Sequence, residues 1–249
     1  MPPLHHLRWS PSPSVMGRQL AAARVSCTNA PMLTVVIPAL NAAATLEPTL
    51  VAVREADEIV VVDGGSTDAT AAIASRHGAR IVSSPRGRGV QLAAGAAAAT
   101  GDWLLFLHAD TLLAPGWREA ADRHIERRPA EAACFRFRLD APERRARLIE
   151  SGAALRVRWL GLAYGDQGLL ISRRLYEEIG GYRPLPLMED VDLVRRIGGR
   201  RLERIGVAAT TSAERWRQDG WLRRSLLNLL CLLLYRLGMS AERVAKLYG

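Results

Sequence analysis

His108 and Asp110 stand two residues apart at the end of an apolar run, Trp103-Leu-Leu-Phe-Leu107. An imidazole and a carboxylate at that spacing suit one metal ion, or one ion and the phosphate it holds. In an extended segment residues i and i+2 point the same way, so both side chains are expected on one side. Three more polar groups follow apolar runs: Pro38 with Asn41, Asp63 with Gly64 and Gly65, and the stretch from Arg86 to Gly89. A continuous apolar run reads as a buried parallel strand. Ligands in open α/β sheets sit just outside the carboxyl ends of such strands. If the runs share one sheet, the four groups converge on one edge. Each also has a plainer explanation. Asp and Gly are ordinary turn residues, surface arginines are often only solvated, and a lone histidine is more often structural. Glu189 and Asp190 open a helix, where acidic residues gain ~0.3–1 kcal/mol whatever else they do.

The elements that would position these groups alternate between strand and helix. Leu33–Ile37 is a β-branched run closed by Pro38, which has no N–H to donate. Thr45–Arg54 reads as a helix with Leu46, Leu50 and Val53 on one face. Glu58–Val62 is the second strand, and Ala69–His77 a helix capped by Ser66, Thr67 or Asp68. Ala79–Val82 is a third strand, Val90–Thr100 an alanine-rich helix, and the Trp103 run a fourth strand. Such alternation predicts βαβ units and a mostly parallel sheet covered by helices on both faces. Beyond Asp110 the pattern loosens. Pro115–Arg127 and Glu143–Trp159 read as helices. Ala133–Leu139 alternates and is expected as an antiparallel edge strand. Gly168–Ser172 is a last short strand. A helix follows at Arg173–Ile179, stopped by Gly180-Gly181, and another starts at Glu189.

The chain divides into three expected parts: a basic, flexible N-terminal segment 1–31, a main domain 32–212 and a helical segment 213–249. The first contains five prolines and no acidic residue. Met32 directly precedes the first strand, so a true start there is an open alternative. In the last part Arg224, Asn228, Cys231 and Tyr235 lie on one helical stripe and leucines cover most of the rest. A helix so widely apolar is buried against the sheet, buried in a homodimer, or laid on a membrane interface. No run reaches the ~20 apolar residues of a membrane span.

The net charge is +9, and Lys246 is the only lysine. That balance suits an anionic partner such as a nucleotide diphosphate or an acidic membrane face, or it is merely a solvated surface. No nucleic-acid-binding module is present, so no nucleic acid partner is expected. Three scattered cysteines, Cys27, Cys134 and Cys231, give neither a disulfide framework nor zinc spacing, which fits a cytoplasmic protein. Gly87-x-Gly89 lacks the third glycine of a dinucleotide fingerprint, because Leu92 stands there. No Gly-x4-Gly-Lys loop exists either.

Taken together, several stretches resemble the ordered motifs of family 2 glycosyltransferases. They are Thr34-Val-Val-Ile-Pro38 with Asn41, Val61-Val-Asp63-Gly-Gly-Ser66-Thr-Asp68, Leu105-Phe-Leu-His108-Ala-Asp110, and Met188-Glu189-Asp190-Val-Asp192. Gly165-Asp166-Gln167-Gly168 and Thr211-Ser212-x-x-Arg215-Trp216 resemble the bacterial branch described as arsenosugar-biosynthesis-type. The resemblance implies a GT-A fold and an inverting transfer from a nucleotide diphosphate sugar, UDP-sugars first, to an acceptor hydroxyl. By position it implies that Pro38, Asn41, Asp63 and Gly64 line the nucleotide pocket and that Arg86 or Arg88 meets the diphosphate. His108, Ala109 and Asp110 fall in the motif that holds Mn²⁺ or Mg²⁺, with His108 in place of the commoner first acid. Asp190, beside Glu189, falls where the general base stands. Asp166, Gln167, Arg215 and Trp216 are expected on the acceptor side. Two alternatives remain: a non-catalytic nucleotide-sugar or membrane-binding protein, and a sugar nucleotidyltransferase. The second is disfavoured because Pro38-Ala-Leu-Asn41 stands where such enzymes carry a glycine-rich basic loop.

Overall fold

The computed structural model describes residues 30–248. The expected N-terminal arm, with Cys27, lies outside the described residues. The first half contains β1 (Leu33–Ala39), α1 (Leu46–Ala52), β2 (Glu58–Asp63), α2 (Thr70–Arg76), β3 (Arg80–Ser83), α3 (Arg88–Ala98) and β4 (Trp103–Phe106). Next come β5 (Thr111–Leu113), α4 (Trp117–Arg127), β6 (Ala132–Asp140), α5 (Arg144–Leu160), β7 (Leu169–Ser172) and α6 (Arg173–Glu178). The chain continues through α7 (Glu189–Ile197), β8 (Leu202–Ser212), α8 (Glu214–Asp219), α9 (Trp221–Arg236) and α10 (Ala241–Tyr248).

One eight-stranded sheet runs β3-β2-β1-β4-β7-β6-β8-β5. The four strands on the β3 side are parallel. β7 runs antiparallel to both β4 and β6. β8 is parallel to β6 and antiparallel to β5. The apolar runs explain the centre: Val35, Val36 and Ile37 of β1 are all fully buried, as a strand covered on both faces requires. Their alternation splits the core. Val35, Ile37, Val61 and Leu105 pack with Leu46, Leu50, Ile73, Trp117 and Ile125 of α1, α2 and α4. Val36, Val60, Val62 and Leu104 pack with Leu92, Tyr176 and Leu193 of α3, α6 and α7. Helices therefore cover both faces, as the alternation predicts.

Several expectations are corrected. β1 runs two residues further, through Pro38 to Ala39, and pairs with β2 as far as Asp63. α3 starts at Arg88, so Arg88 and Gly89 belong to a helix and only Arg86 and Gly87 to the loop. β6 is interior, between β7 and β8. Its alternation reflects only its second half, where Phe137 and Leu139 face a small core with Ala146 and Ala153 of α5. β8 and β5 have no counterpart in the sequence reading. Gly206 and Val207 interrupt the β6–β8 register, with Phe135 opposite Ile205 and Arg136 opposite Ala208, so no clean period survives in β8.

α3 lies flush on the sheet because Gly95 has no side chain. A Cβ there would come within 2.3 Å of Val36 Cγ1 and 2.7 Å of Val62 Cγ2. Gly95→Ala gains about 1 kcal/mol of helix propensity. Overpacking of that kind costs about 1–3 kcal/mol and occasionally more. With contacts this short the substitution is expected to lower stability by about 2 kcal/mol net in urea unfolding. An alanine variant as stable as the parent would mean that α3 lifts off the sheet without cost.

Candidate active site

The carboxyl ends of β1, β2 and β4 open on one edge, and their loops are bound to one another. Asn41 N donates to Ser66 Oγ at 2.9 Å, and Asn41 Oδ1 accepts from Thr67 N at 2.9 Å. The Asp63 carboxylate accepts from the Ser66 amide at 3.1 Å and from its hydroxyl. Asn41 holds φ 50°, a left-handed conformation uncommon outside glycine. From below, the buried Gln91 amide donates to Ala39 O at 2.8 Å and Val62 O at 2.9 Å. A Cβ on Gly64 would meet that amide at 2.9 Å, so a side chain there would have to push the Gln91 end group aside. Pro38, Asn41, Asp63 and Gly64 thus form one rigid rim. Gln91 has no motif signature. Only its position among alanines on a buried helix face marks it.

His108, Ala109 and Asp110 are not in an extended segment. β4 ends at Phe106, and a turn follows in which Thr111 N donates to His108 O at 3.2 Å. The alternation argument for this pair therefore fails, and the turn aims the two side chains. Ala109 O accepts from Thr49 Oγ1 at 3.1 Å and Asp110 O from Thr211 Oγ1 at 3.4 Å. Among the described residues nothing hydrogen-bonds or ion-pairs with the Asp110 carboxylate.

Gly165 links this turn to α7. A Cβ on it would sit 2.5 Å from His108 Nε2, so the imidazole lies against the bare Cα. The Gly165 amide donates to Asp190 Oδ2 at 2.8 Å. Asp190 Oδ1 accepts from Val191 N at 2.7 Å, so two backbone amides hold this carboxylate. Met188, just before it, is held at φ 64°. Asp166 follows Gly165. Its Oδ1 is shut off from solvent and has no hydrogen-bond partner among the described residues. Burial pushes the Asp166 carboxyl up to about 6. The charges of Asp190 and Asp110 add to that, and Arg156 opposes it.

On the other side Arg88, at the start of α3, reaches Glu189 at 3.4 Å. Gly89 makes that approach possible. A Cβ there would lie 2.3 Å from Arg183 O, in the segment leading to α7. Glu189 is only 2% exposed. Burial, then the charge of Asp190, push its carboxyl up to about 7, against the pull of Arg88. Burial works against the Arg88 charge, but Glu189, Asp190 and Asp110 more than offset it and hold its pKa above the ordinary arginine value. Five charged groups therefore interact in one corner: Arg88, Asp110, Asp166, Glu189 and Asp190. Arg86 is exposed on the neighbouring loop.

Some expected site residues serve other ends. Gln167 Nε2 donates to Phe135 O at 3.2 Å, and its Oε1 accepts from Tyr164 N at 3.2 Å. Both of its polar groups are taken up by backbone partners at the turn. A depression of about 670 Å³ between α5, β6 and β8 reaches Gln167 but none of the four carboxylates. The Trp216 ring packs on Phe137, 6.4 Å between centroids, in the small core under β6. The side chain of Arg215 lies outside what the structure describes. Sequence reasoning missed Arg156, whose guanidinium stacks 3.4 Å above the Tyr164 ring. It also missed Tyr248, which lies near enough to Arg88 and Tyr164 for their charges to interact. Neither carries a motif, and Arg156 is one of many arginines in α5.

The profile of glycosyl transferase family 2 matches residues 34–183, from β1 through the segment after α6. The chain belongs to this family. Among relatives of the glycosyltransferase, an uncharacterized glycosyltransferase of Mycobacterium tuberculosis is 43% identical over 79 residues, 31% of this chain and 36% of that one. A PGL/p-HBAD biosynthesis glycosyltransferase of Mycobacterium bovis is 41% identical over 101 residues, 34% of this chain and 37% of that one. The match thus spans little more than a third of these curated relatives. Among solved structures, glucosyl-3-phosphoglycerate synthase from Mycobacterium tuberculosis superposes with a TM-score of 0.60 at 22% identity, over 84% of this chain and 81% of that one. The same synthase bound to Mn²⁺, UDP-glucose and phosphoglyceric acid gives 0.58 at 23%. This likeness establishes the GT-A fold of the glycosyltransferase. These relatives speak for the family and not for the arsenosugar-type branch.

Proposed function

We propose that this glycosyltransferase moves a sugar from a nucleotide diphosphate donor, a UDP-sugar first, to an acceptor hydroxyl with inversion, and that Asp190 is the general base. The observation that carries the reading is the pair of amides, Gly165 and Val191, fixing the Asp190 carboxylate at the mouth of the charged corner. Each Asp190 oxygen keeps a second lone pair. As the acceptor oxygen bonds to the anomeric carbon, its proton passes to Asp190, and the bond to the diphosphate breaks with its electron pair. The diphosphate faces Arg88 and Arg86, whose planar guanidinium groups suit phosphate oxygens. Pro38, Asn41, Asp63 and Gly64 hold the nucleoside.

The donor set suits a divalent ion. Among the described residues the Asp110 carboxylate makes no hydrogen bond or ion pair, Asp166 Oδ1 is buried without a hydrogen-bond partner, and the His108 imidazole lies against Gly165, the neighbour of Asp166. Among the described residues no three His, Cys, Asp or Glu side chains gather into a cage, so such an ion would need oxygens from the diphosphate. Mn²⁺ or Mg²⁺ held by Asp110 and His108 would neutralise the charge that develops on the leaving group. Asp166 borders the acceptor side, and we divide the chain into 32–212 for this chemistry and 213–249 as a helical extension. Among the described residues no helix is long and apolar enough to cross a membrane. The three scattered cysteines, without a disulfide framework, support a cytoplasmic setting.

A thermal-shift series with UDP-glucose and other nucleoside diphosphate sugars tests this, with and without MnCl₂. A bound donor at about 100 times its dissociation constant adds about 2.7 kcal/mol of stability. The shift should need the metal and should vanish with excess EDTA. No shift with any nucleoside diphosphate would defeat the proposal. Binding without turnover on a broad acceptor panel would favour the non-catalytic alternative.

A further inference from the structure

α9 is amphipathic in an unusual sense. Its buried side is narrow: Cys231 and Leu232 are closed in with Val157, Val191 and Val244, and Arg224, Asn228 and Tyr235 are half-buried beside them. Arg224 reaches inward to Asp219 and stacks 4.6 Å from the Tyr248 ring. The polar stripe thus faces the protein and the leucines face out. Leu222, Leu226, Leu229, Leu230, Leu233 and Leu237 are 48–75% exposed. At about 100° per residue they fall on one stripe about 100° wide. Exposed Arg223 lies along one edge of that stripe and exposed Arg236 along the other. Trp221–Arg236 contains no acidic residue.

We propose that this face docks on an anionic lipid surface. Monomeric proteins rarely leave so continuous an apolar stripe uncovered. The charges decide between the candidates for covering it. A second copy of α9 packed on this face brings leucines and arginines but no acid, so it gives Arg223 and Arg236 no partner. Residues 1–29 carry Arg8, Arg18 and Arg24 and no acid, so their charge does not complement the arginines. A bilayer with acidic headgroups satisfies both parts. The leucines enter the headgroup–acyl boundary, and the arginines extend along it to the phosphates. The inference rests on α9 alone and not on the donor chemistry.

Flotation of the full-length protein with vesicles tests it, using phosphatidylcholine alone and phosphatidylcholine mixed with phosphatidylglycerol. The protein should float with the mixed vesicles, weakly with the neutral ones, and less as salt rises. Combined Leu226→Ser, Leu229→Ser and Leu233→Ser should weaken partitioning at least about tenfold, since three leucines then leave the boundary. The triple variant should keep the parent's melting temperature, because these side chains already face solvent. Arg223→Gln with Arg236→Gln should abolish the preference for acidic vesicles. A parent protein that floats with neither vesicle overturns the proposal, and so does a triple variant that floats as well as the parent. A concentration-dependent dimer that the serines dissociate would assign the face to a second copy.

Discussion

Asp190→Asn is expected to slow transfer by about 10²–10⁴-fold, the usual contribution of a positioned general base, while a UDP-sugar still raises the melting temperature. An amide takes up no proton at neutral pH, yet it matches the carboxylate in size and still offers one acceptor oxygen. The loss should therefore fall on kcat, with KM for donor near the parent value. One structural cost accompanies it. Both carboxylate oxygens accept backbone amides, from Gly165 at 2.8 Å and Val191 at 2.7 Å, and asparagine can serve only one of them. The orphaned amide costs about 1–3 kcal/mol of stability. That loss is visible in unfolding and separate from the catalytic one. Transfer at the parent rate would remove Asp190 from the mechanism. Loss of the donor-induced shift would give it a binding role instead.

Stability without divalent metal should fall as pH rises across the range in which Glu189 ionises. Its carboxyl stands at about 7 in the folded protein against an ordinary value of 4.5. Between those values the folded protein holds a proton that the unfolded chain has released. The stabilisation is complete below the lower value and is lost as pH rises through the higher one. At 1.36 kcal/mol per unit the loss amounts to a few kcal/mol at most, and Arg88 at 3.4 Å limits it once the carboxylate is charged. Asp166, raised to about 6, acts with the same sign over a lower window. Glu189→Gln should flatten the upper part of the profile and leave the Asp166 part. Urea midpoints between about pH 5 and about pH 8 give the answer. Equal slopes in parent and variant would mean that Glu189 ionises in the folded protein as it does in water.

The half of the sheet formed by β3, β2, β1 and β4 was legible because the physics there is one-dimensional. Buried parallel strands such as Val35–Ile37 and Val60–Val62 must be apolar on both faces, and their polar ends stand out. Asp63 and Asp110 were singled out that way, and Asp190 by the family motif alone. The other half resists because its strands are irregular. β8 has Gly206 and Val207 out of register and polar threonines at its end. The antiparallel β7, only four residues long, gives no hint that it sits between β4 and β6. Within the site, side-chain identity was readable and mutual arrangement was not. No spacing rule brings Arg88 to Glu189 across about a hundred residues, or reveals that Gly165 is bare because His108 fills its space. The orientation of α9 was also closed to composition. A stripe with Arg224 and Asn228 looks solvent-facing until Tyr248 and Asp219 are seen to receive the arginine.

The pairing of β5 with β8 has a consequence for the order in which the chain becomes competent. Thr111, one residue past Asp110, pairs with Thr211, and the Thr211 hydroxyl bonds to Asp110 O. The loop contacts of Asn41 with Ser66 and Thr67 and of Asp63 with Ser66 join neighbours within about thirty residues, and such contacts close by cheap, local loop formation. The turn with His108 and Asp110 is flanked by a strand whose partner emerges from the ribosome a hundred residues later. On the proposed site assignment, a nascent chain acquires its grip on a nucleoside well before its grip on a diphosphate, and it binds a complete donor only when nearly all of it has been made.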